Sequence, residues 1–340
     1  MTDFDRRQLL AFTLAAAIPV PVSARQTGGW QARAAMPWVA QEIYCAVSGG
    51  KIVVVGGLIG IPGQRERGVE ARVGFYDPVT DLWAEGPPLP EARHHPMVVA
   101  DAGGRLFSIG GYGEGPTGQW TNATEVRVLE EGGWVAGPPL PVPQAEAVGL
   151  EARGRIHLVT GRSPNAGSNG NWNDQADVAT HQVLTDGRWE TLRPAPMARN
   201  SAAGAVLDGR LWIAGGRTVA GGGTGRLDRY DPVEDRWETL APIPFSGAAG
   251  QQVGGGLAMV ATGGKLVTFG GEWFAPGGGG VFAETWIYDP ASDGWSRGPD
   301  MKSPRHGLAA AAVNGVAYAI GGSSLVSSGQ TTGIVEALSL

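Results

Sequence analysis

A short β-type run that closes on a glycine pair recurs along the chain at nearly constant spacing, and this recurrence constrains the fold most. The segments are KIVVVGG (Lys51–Gly57), RLFSIGG (Arg105–Gly111), RIHLVTG (Arg155–Gly161), RLWIAGG (Arg210–Gly216), KLVTFGG (Lys265–Gly271) and VAYAIGG (Val316–Gly322), with Thr160 replacing one glycine. Counted from Gly56, the steps are 54, 50, 55, 55 and 51 residues. A unit of this length cannot bury its apolar face alone, so successive copies must stack against one another.

A second pattern is phased with the first. Tyr76, Tyr230 and Tyr288 each open a Tyr-Asp-Pro turn, and Trp83, Trp237 and Trp295 follow seven residues later. Proline presets φ and aspartate caps the bend, so each motif reads as two strands around a tight turn. The fourth copy shows four strands: Ser201–Leu207, Arg210–Gly216, Arg226–Pro232, and a last one from Arg236 to Leu240. The tyrosines and tryptophans are expected to pack between neighbouring units as core, with Trp134 and Trp189 doing so in divergent copies. Fifty-six glycines and 24 prolines suit such a turn-rich, all-β chain.

The period, the glycine pairs and the Tyr–Trp phasing resemble the kelch repeat over the whole chain after its N-terminus. That resemblance implies one six-bladed β-propeller spanning residues 25–340. The last copy ends at Gly333–Leu340 with no chain left for a fourth strand, whereas GGWQARAAMP (Gly28–Pro37) carries the tryptophan and Met-Pro of one. The N-terminal strand should therefore pair with the C-terminal blade and close the ring.

Residues 1–24 read as a cleaved export signal: Arg6-Arg7, an apolar run from Leu9 to Ile18, and a small-x-small end at Val22-Ser23-Ala24. The arginine pair is similar to a twin-arginine signal. A periplasmic or secreted, monomeric product is expected. The single cysteine, Cys45, allows no intramolecular disulfide. A net charge of -6 argues against nucleic acid as a partner, and no long apolar window after the N-terminus suggests a membrane span.

Antiparallel geometry puts the loop after the glycine pair and the loop between units on one face, with the short, generic turns opposite. The loop-rich face is where ligands are expected. Leu58, Tyr112, Arg162, Arg217, Glu272 and Ser323 follow the glycine pairs. Opening the first strands are Gln41/Glu42, His94/His95, Ala145/Glu146, Asn200/Ser201, a glycine run near Gly254, and His306/Gly307. From these we take Arg162, Arg217, Glu272, Tyr112, His94, Asn200, His306 and Glu42 as candidate binding residues, with Trp172 and Trp273 as stacking platforms. Arg162, Arg217 and Glu272 are expected to be accessible loop residues pointing at the axis. Trp38 and Trp120 are expected to pack down their own loops. Arg93, Arg199 and Arg305 sit at the kelch Pro-Arg position and are expected to tie loops to backbone carbonyls.

The partner so implied is a polar small molecule, a glycan or a peptide or protein, without a cofactor. His94 and His95 should point to opposite sides of a strand, and His157, His181 and His306 fall in separate blades, so no metal site is expected. Copper radical oxidases share a kelch-type propeller, but their cross-linked Cys–Tyr has no counterpart beyond Cys45, which reads as a buried structural thiol. A further resemblance is to periplasmic sialic-acid mutarotases, also six-bladed kelch propellers. It implies an acid–base role for Glu272, with Arg217 or Arg162 replacing an arginine missing from the Glu272 loop. The expectation is a binding module, and the alternative is a sugar mutarotase or epimerase.

Overall fold

A computed structural model describes residues 28–60, 67–116, 118–165, 167–220, 222–246, 254–327 and 329–340. The export-signal segment, residues 1–24, lies outside the described residues. Among those described, no helix is long and apolar enough to cross a membrane.

Six four-stranded antiparallel sheets are arranged as blades around one axis. From the axis outward, blade I is Tyr44–Ser48, Lys51–Val55, Val73–Asp77 and Leu82–Glu85; blade II is Met97–Ala100, Leu106–Ile109, Val126–Glu130 and Gly133–Ala136. Blade III is Val148–Ala152, Arg155–Val159, His181–Thr185 and Arg188–Thr191; blade IV is Ala203–Leu207, Arg210–Ala214, Leu227–Asp231 and Arg236–Leu240. Blade V is Leu257–Thr262, Lys265–Gly270, Thr285–Asp289 and Gly294–Arg297. Blade VI takes Ala309–Val313, Val316–Ile320 and Val335–Ser339 from the C-terminus and Gln31–Arg33 from the N-terminus, with Ala32 opposite Glu336. The ring thus closes through the N-terminal strand, which covers the outer edge of Val335–Ser339.

The repeated Tyr-Asp-Pro-x-x-Asp-x-Trp motif is a latch between blades. Tyr76, Tyr230 and Tyr288 are fully buried and donate their hydroxyls to Asp81, Asp235 and Asp293 at 2.6, 2.7 and 2.6 Å. Each aspartate also accepts a backbone N–H from the residue just past the preceding blade: Ala34, Arg193 or Ala241. The carbonyl of that same residue accepts the indole N–H of Trp83, Trp237 or Trp295, at 2.9, 3.0 and 2.7 Å. Trp134, Trp189 and Trp30 make the equivalent bond to Pro87, Pro138 and Pro299. Six indoles therefore bond six blade junctions. Five of them are only half-buried at the rim, which corrects the expectation of core placement; Trp30 alone is fully enclosed, 4.8 Å edge-on from Phe269.

The glycine pairs turn the chain where it leaves each second strand. Gly56 has φ +65, and a Cβ there would lie 2.3 Å from the Arg93 carbonyl oxygen. Thr160 adopts the same left-handed turn at φ 60 despite its branched side chain. Arg199 and Arg305 are buried as expected of structural arginines. Arg199 pairs with Asp228 at 2.7 Å, and Arg305 bonds Glu336 and the carbonyls of Gly321 and Ala319. Arg93 lies 3.5 Å from Glu125.

Two placements differ from the sequence reading. His157 and His181 belong to adjacent strands of one blade, blade III, with Nδ1 and Nε2 at 3.0 Å. Cys45 is half-buried on the innermost strand of blade I and donates to the Ala310 carbonyl at 3.1 Å; burial pushes its thiol up to about 12.

Candidate functional site at the propeller axis

The chain enters each blade through a two-residue step that builds the site. The first residue bridges the position after the glycine pair: Gln41 with Leu58, His94 with Tyr112, Ala145 with Arg162, Asn200 with Arg217, and His306 with Ser323. In blade V the Glu272 N–H donates to the Gly255 carbonyl at 3.0 Å. The second residue turns left-handed: Glu42 (φ 53), His95 (φ 52), Glu146 (φ 52), Ser201 (φ 49), Gly256 (φ 68) and Gly307 (φ 60). These residues link from blade to blade around the axis. His95 N–H donates to Glu42, Glu42 to Gly307, Gly307 to Gly256, Gly256 to Ser201 and Ser201 to Glu146, at 2.7–3.1 Å.

Left-handed backbone is strained for residues with a Cβ and free for glycine. Blades V and VI use glycine there, while blades I to IV place Glu, His, Glu and Ser. Strain of this kind persists where surrounding structure enforces it, and it clusters at functional sites. Here it aims four polar side chains at the axis.

A cavity of about 480 Å³ opens above this ring, lined by Glu42, His95, Trp120, Trp172, Arg217, Glu272 and neighbours that include Val219, Phe274 and Ser327. Hairpins following the glycine pairs form its walls, among them Tyr112–Gly115 with Gly118–Asn122 and Glu272–Ala275 with Gly278–Val281. A smaller cavity of about 180 Å³ continues down the axis between small and apolar inner-strand residues such as Val98, Val148, Ala203 and Ala309. Its few charged or polar neighbours make it a lesser candidate.

The floor is a network of opposed charges. Arg217 Nη1 bonds Glu272 Oε1, its Nη2 lies 3.9 Å from Glu146 Oε2, and its Nε donates to Asn200 Oδ1 at 3.2 Å. Glu146, 1% exposed, accepts from Ser201 at 2.6 Å and from Tyr112 at 3.1 Å, with Arg162 Nη1 at 3.8 Å. His95 Nε2 sits 2.9 Å from Glu42 Oε2. His306 Nε2 lies 3.4 Å from Glu272 and 3.7 Å from Glu42.

Burial opposes ionisation of Glu42, but His95, His306 and Arg217 outweigh it and hold the carboxyl well below the usual range. Burial likewise opposes charge on His95, yet Glu42 and Glu146 raise its proton affinity above that of an ordinary imidazole. Burial also works against Glu146, which His95, Arg217 and Arg162 nonetheless keep low. The hydroxyls of Tyr44 and Tyr112 are pushed up by burial and by nearby carboxylates, so they act as donors.

Of the sequence-derived candidates, Glu42, Arg217, Glu272 and Trp172 line the cavity. Arg162 does not. It is wholly buried and bonds the carbonyls of Trp172 and Gln175 at 2.9 and 2.7 Å, with its guanidinium 4.1 Å from the Trp172 ring centre. It pins the Arg162–Asp177 hairpin from below, so the expectation of an accessible Arg162 is overturned. Glu272 is 3% exposed and Arg217 is ion-paired, so neither is a free loop residue. Tyr112, His94, Asn200 and His306 are buried one layer behind the lining. Trp273 packs into the apolar layer between blades IV and V instead of facing the cavity, and Trp38 is core beside Trp83.

His95 and Glu146, which the sequence puts on this face without making them candidates, belong to the site, and Trp120 lines the cavity instead of only packing down its own loop. His94 and His95 do not alternate as strand neighbours, because His95 turns left-handed and brings the rings together, Nδ1 to Nδ1 at 2.8 Å. The available signal was register: aligned by blade, Gly256 and Gly307 mark the positions that Glu42, His95, Glu146 and Ser201 occupy elsewhere.

Models of the kelch motif match residues 45–90, 198–244 and 255–302. The chain is 28% identical over 271 residues to kelch-like protein terF of Aspergillus terreus, covering 76% of this chain and 54% of that protein. It is 31% identical over 181 residues to human kelch-like protein 34, covering 53% and 27%. The chain spans about half or less of the length of the curated relatives it matches. Among solved structures, the one described as the structure of YjhT superposes with a TM-score of 0.74 at 14% identity, over 90% of this chain and 96% of that one. At that identity the likeness speaks for the fold.

Proposed function

We propose that this chain, which is a kelch-repeat β-propeller, binds a neutral, polyhydroxylated ligand of sugar size in its axial cavity. The observation that carries the reading is the cavity itself: about 480 Å³, with indole walls at Trp120 and Trp172 and a charged floor. Volumes of roughly 300–1,000 Å³ are usual for small-molecule sites. Indole faces suit the apolar faces of a sugar ring, and floor carboxylates suit its hydroxyls, because charge-assisted hydrogen bonds are about twice as strong as neutral ones.

The balance of charge selects among sugars. Arg217 is already opposed by Glu272 and Glu146, and Arg162 is sealed below, so an anionic sugar would have to displace a carboxylate to reach a cation. Calorimetric titration and thermal shift with D-glucose, D-galactose, N-acetyl-D-glucosamine and N-acetylneuraminic acid test the reading. A shift with a neutral sugar that disappears in Trp120→Ala is the expected result. No response to any of them, or a response only to the acid, would overturn it.

A second reading is acid–base opening of a sugar ring of the mutarotase kind, and the contact of Arg217 with Glu272 favours it. An NMR time course of anomer interconversion decides: a catalysed rate lost in Glu272→Gln supports it, and an unchanged rate ends it. We also propose that residues 1–24 direct export. N-terminal sequencing of the exported product should begin after Ala24.

A further inference from the structure

The cavity floor holds a chain of ring-nitrogen contacts that runs from the Gln119 carbonyl through His94 and His95 to Glu42. The Gln119 carbonyl oxygen can only accept, so His94 Nε2, 2.7 Å from it, carries a proton. Between the rings, His94 Nδ1 and His95 Nδ1 lie 2.8 Å apart, so one of the two carries a hydrogen. At the far side His95 Nε2 meets Glu42 Oε2 at 2.9 Å, where two lone pairs would repel. The three contacts need three protons and two neutral imidazoles supply two; His95 is the ring that faces the carboxylates of Glu42 and Glu146, so the third proton makes it an imidazolium beside the Glu42 carboxylate.

The other oxygen of Glu42 is differently placed. The ring nitrogen His306 Nε2 lies 3.7 Å from it, beyond hydrogen-bond reach. It lies over Gly307, where a Cβ would come within 2.9 Å of Glu42 Cδ and Oε1, so a side chain there would displace the carboxylate from this position. Both oxygens of Glu272, by contrast, are engaged: Oε1 by Arg217 and Oε2 by the Ser327 N–H at 2.9 Å.

We propose that Glu42, not Glu272, is the acceptor that reads a ligand hydroxyl in this cavity, and that the proton it shares with His95 couples binding to pH. The inference rests on the axial cavity being the ligand site. The ligand class is a neutral compound presenting an O–H to Glu42 Oε1. While the shared proton is present, the pair is net neutral and Glu42 is held in place. Once it is lost, a lone pair and a carboxylate face each other and the floor gains a negative charge.

Each neighbouring element bears on His95. Glu42 approaches from the entry to blade I, His94 from its own loop, Glu146 from the entry to blade III and Arg217 from the blade IV hairpin. Tyr44 and Tyr112 pack their rings against it from blades I and II, and His306 faces Glu42 from the entry to blade VI. Two carboxylates against one arginine favour the protonated ring.

The test is a ring-nitrogen NMR titration of the full ¹⁵N-labelled chain, with Glu42→Gln alongside. The expected result is a His95 protonated on both nitrogens at neutral pH and a neutral His94 protonated at Nε2. In Glu42→Gln the His95 midpoint should fall by about one pH unit or more, while His157 and His181 stay in place as internal references. A neutral His95 in the unaltered protein at pH 6, or an unmoved midpoint in the variant, would overturn the shared proton. For ligand reading, Glu42→Gln should weaken whichever of the three neutral sugars above binds by about tenfold or more, and the unaltered protein should bind it more weakly above the His95 midpoint. Equal affinity in the variant overturns the role of Glu42. If no sugar binds, the site reading and the ligand-reading role fall together, and the titration still decides the proton.

Discussion

Acidification from pH 7 to pH 5 should destabilise blade III through two histidines remote from the cavity. His157 and His181 are fully buried, bonded to each other at 3.0 Å, and the His181 ring packs 4.5 Å from Tyr230 and 5.6 Å from Trp237. Burial, with the charge of His181, lowers His157 to about 3; burial lowers His181 to about 4, against the Arg193 carbonyl and Asp235. In the unfolded chain both return to about 6.5. Between those values the unfolded state binds the extra protons, so stability falls as pH drops below about 6.5. At pH 5 each ring lies about 1.5 units below its unfolded value, which is about 2 kcal/mol, or about 4 kcal/mol for the pair.

His95 works with the opposite sign. Its folded value is raised, so its contribution is fully present below about 6.5 and is lost as pH rises through the folded value. The measurement is therefore a difference. Urea unfolding of the unaltered protein and of His157→Gln/His181→Gln, each at pH 7 and pH 5, cancels His95 and the carboxylates. The unaltered protein should lose about 4 kcal/mol more than the variant over that interval. Equal losses in the two proteins would refute neutral burial of the pair.

Two further outcomes concern the framework. Arg217→Ala leaves Glu146 and Glu272 without their shared cation, so urea unfolding at pH 7 should show a loss of about 3–5 kcal/mol, as for a broken buried pair; a change within about 0.5 kcal/mol, typical of exposed positions, would count against the network. Deleting Gly28–Pro37 removes the outer strand of blade VI and the enclosed Trp30, whose loss alone is worth about 3–5 kcal/mol, so the shortened chain should aggregate or melt well below the intact one. Equal melting temperatures would show that the ring closes without that strand.

The architecture was legible because it is local and repeated. Glycine pairs at a fixed step, the Tyr-Asp-Pro turn and the Trp seven residues on each report a backbone need that recurs in blade after blade, and the unpaired last strand called for a partner from Gly28–Pro37. The sequence also placed Glu42, Arg217, Glu272 and Trp172 on the working face, because antiparallel strands leave no choice about which loops share an end. Tertiary structure alone decided how those residues meet. Arg162 and Arg217 follow glycine pairs in the same register, yet the longer hairpin of blade III folds Trp172 over Arg162 and seals it, while Arg217 reaches the cavity. His94 and His95 read as strand neighbours until the left-handed turn at His95 set their rings against each other. Glu42, His95, Glu146 and Ser201 share a backbone position that the register gives but not a residue type, so the pattern places them without pairing them. Their charges find partners only when the ring closes and brings loops distant in the chain within a few ångströms of one axis.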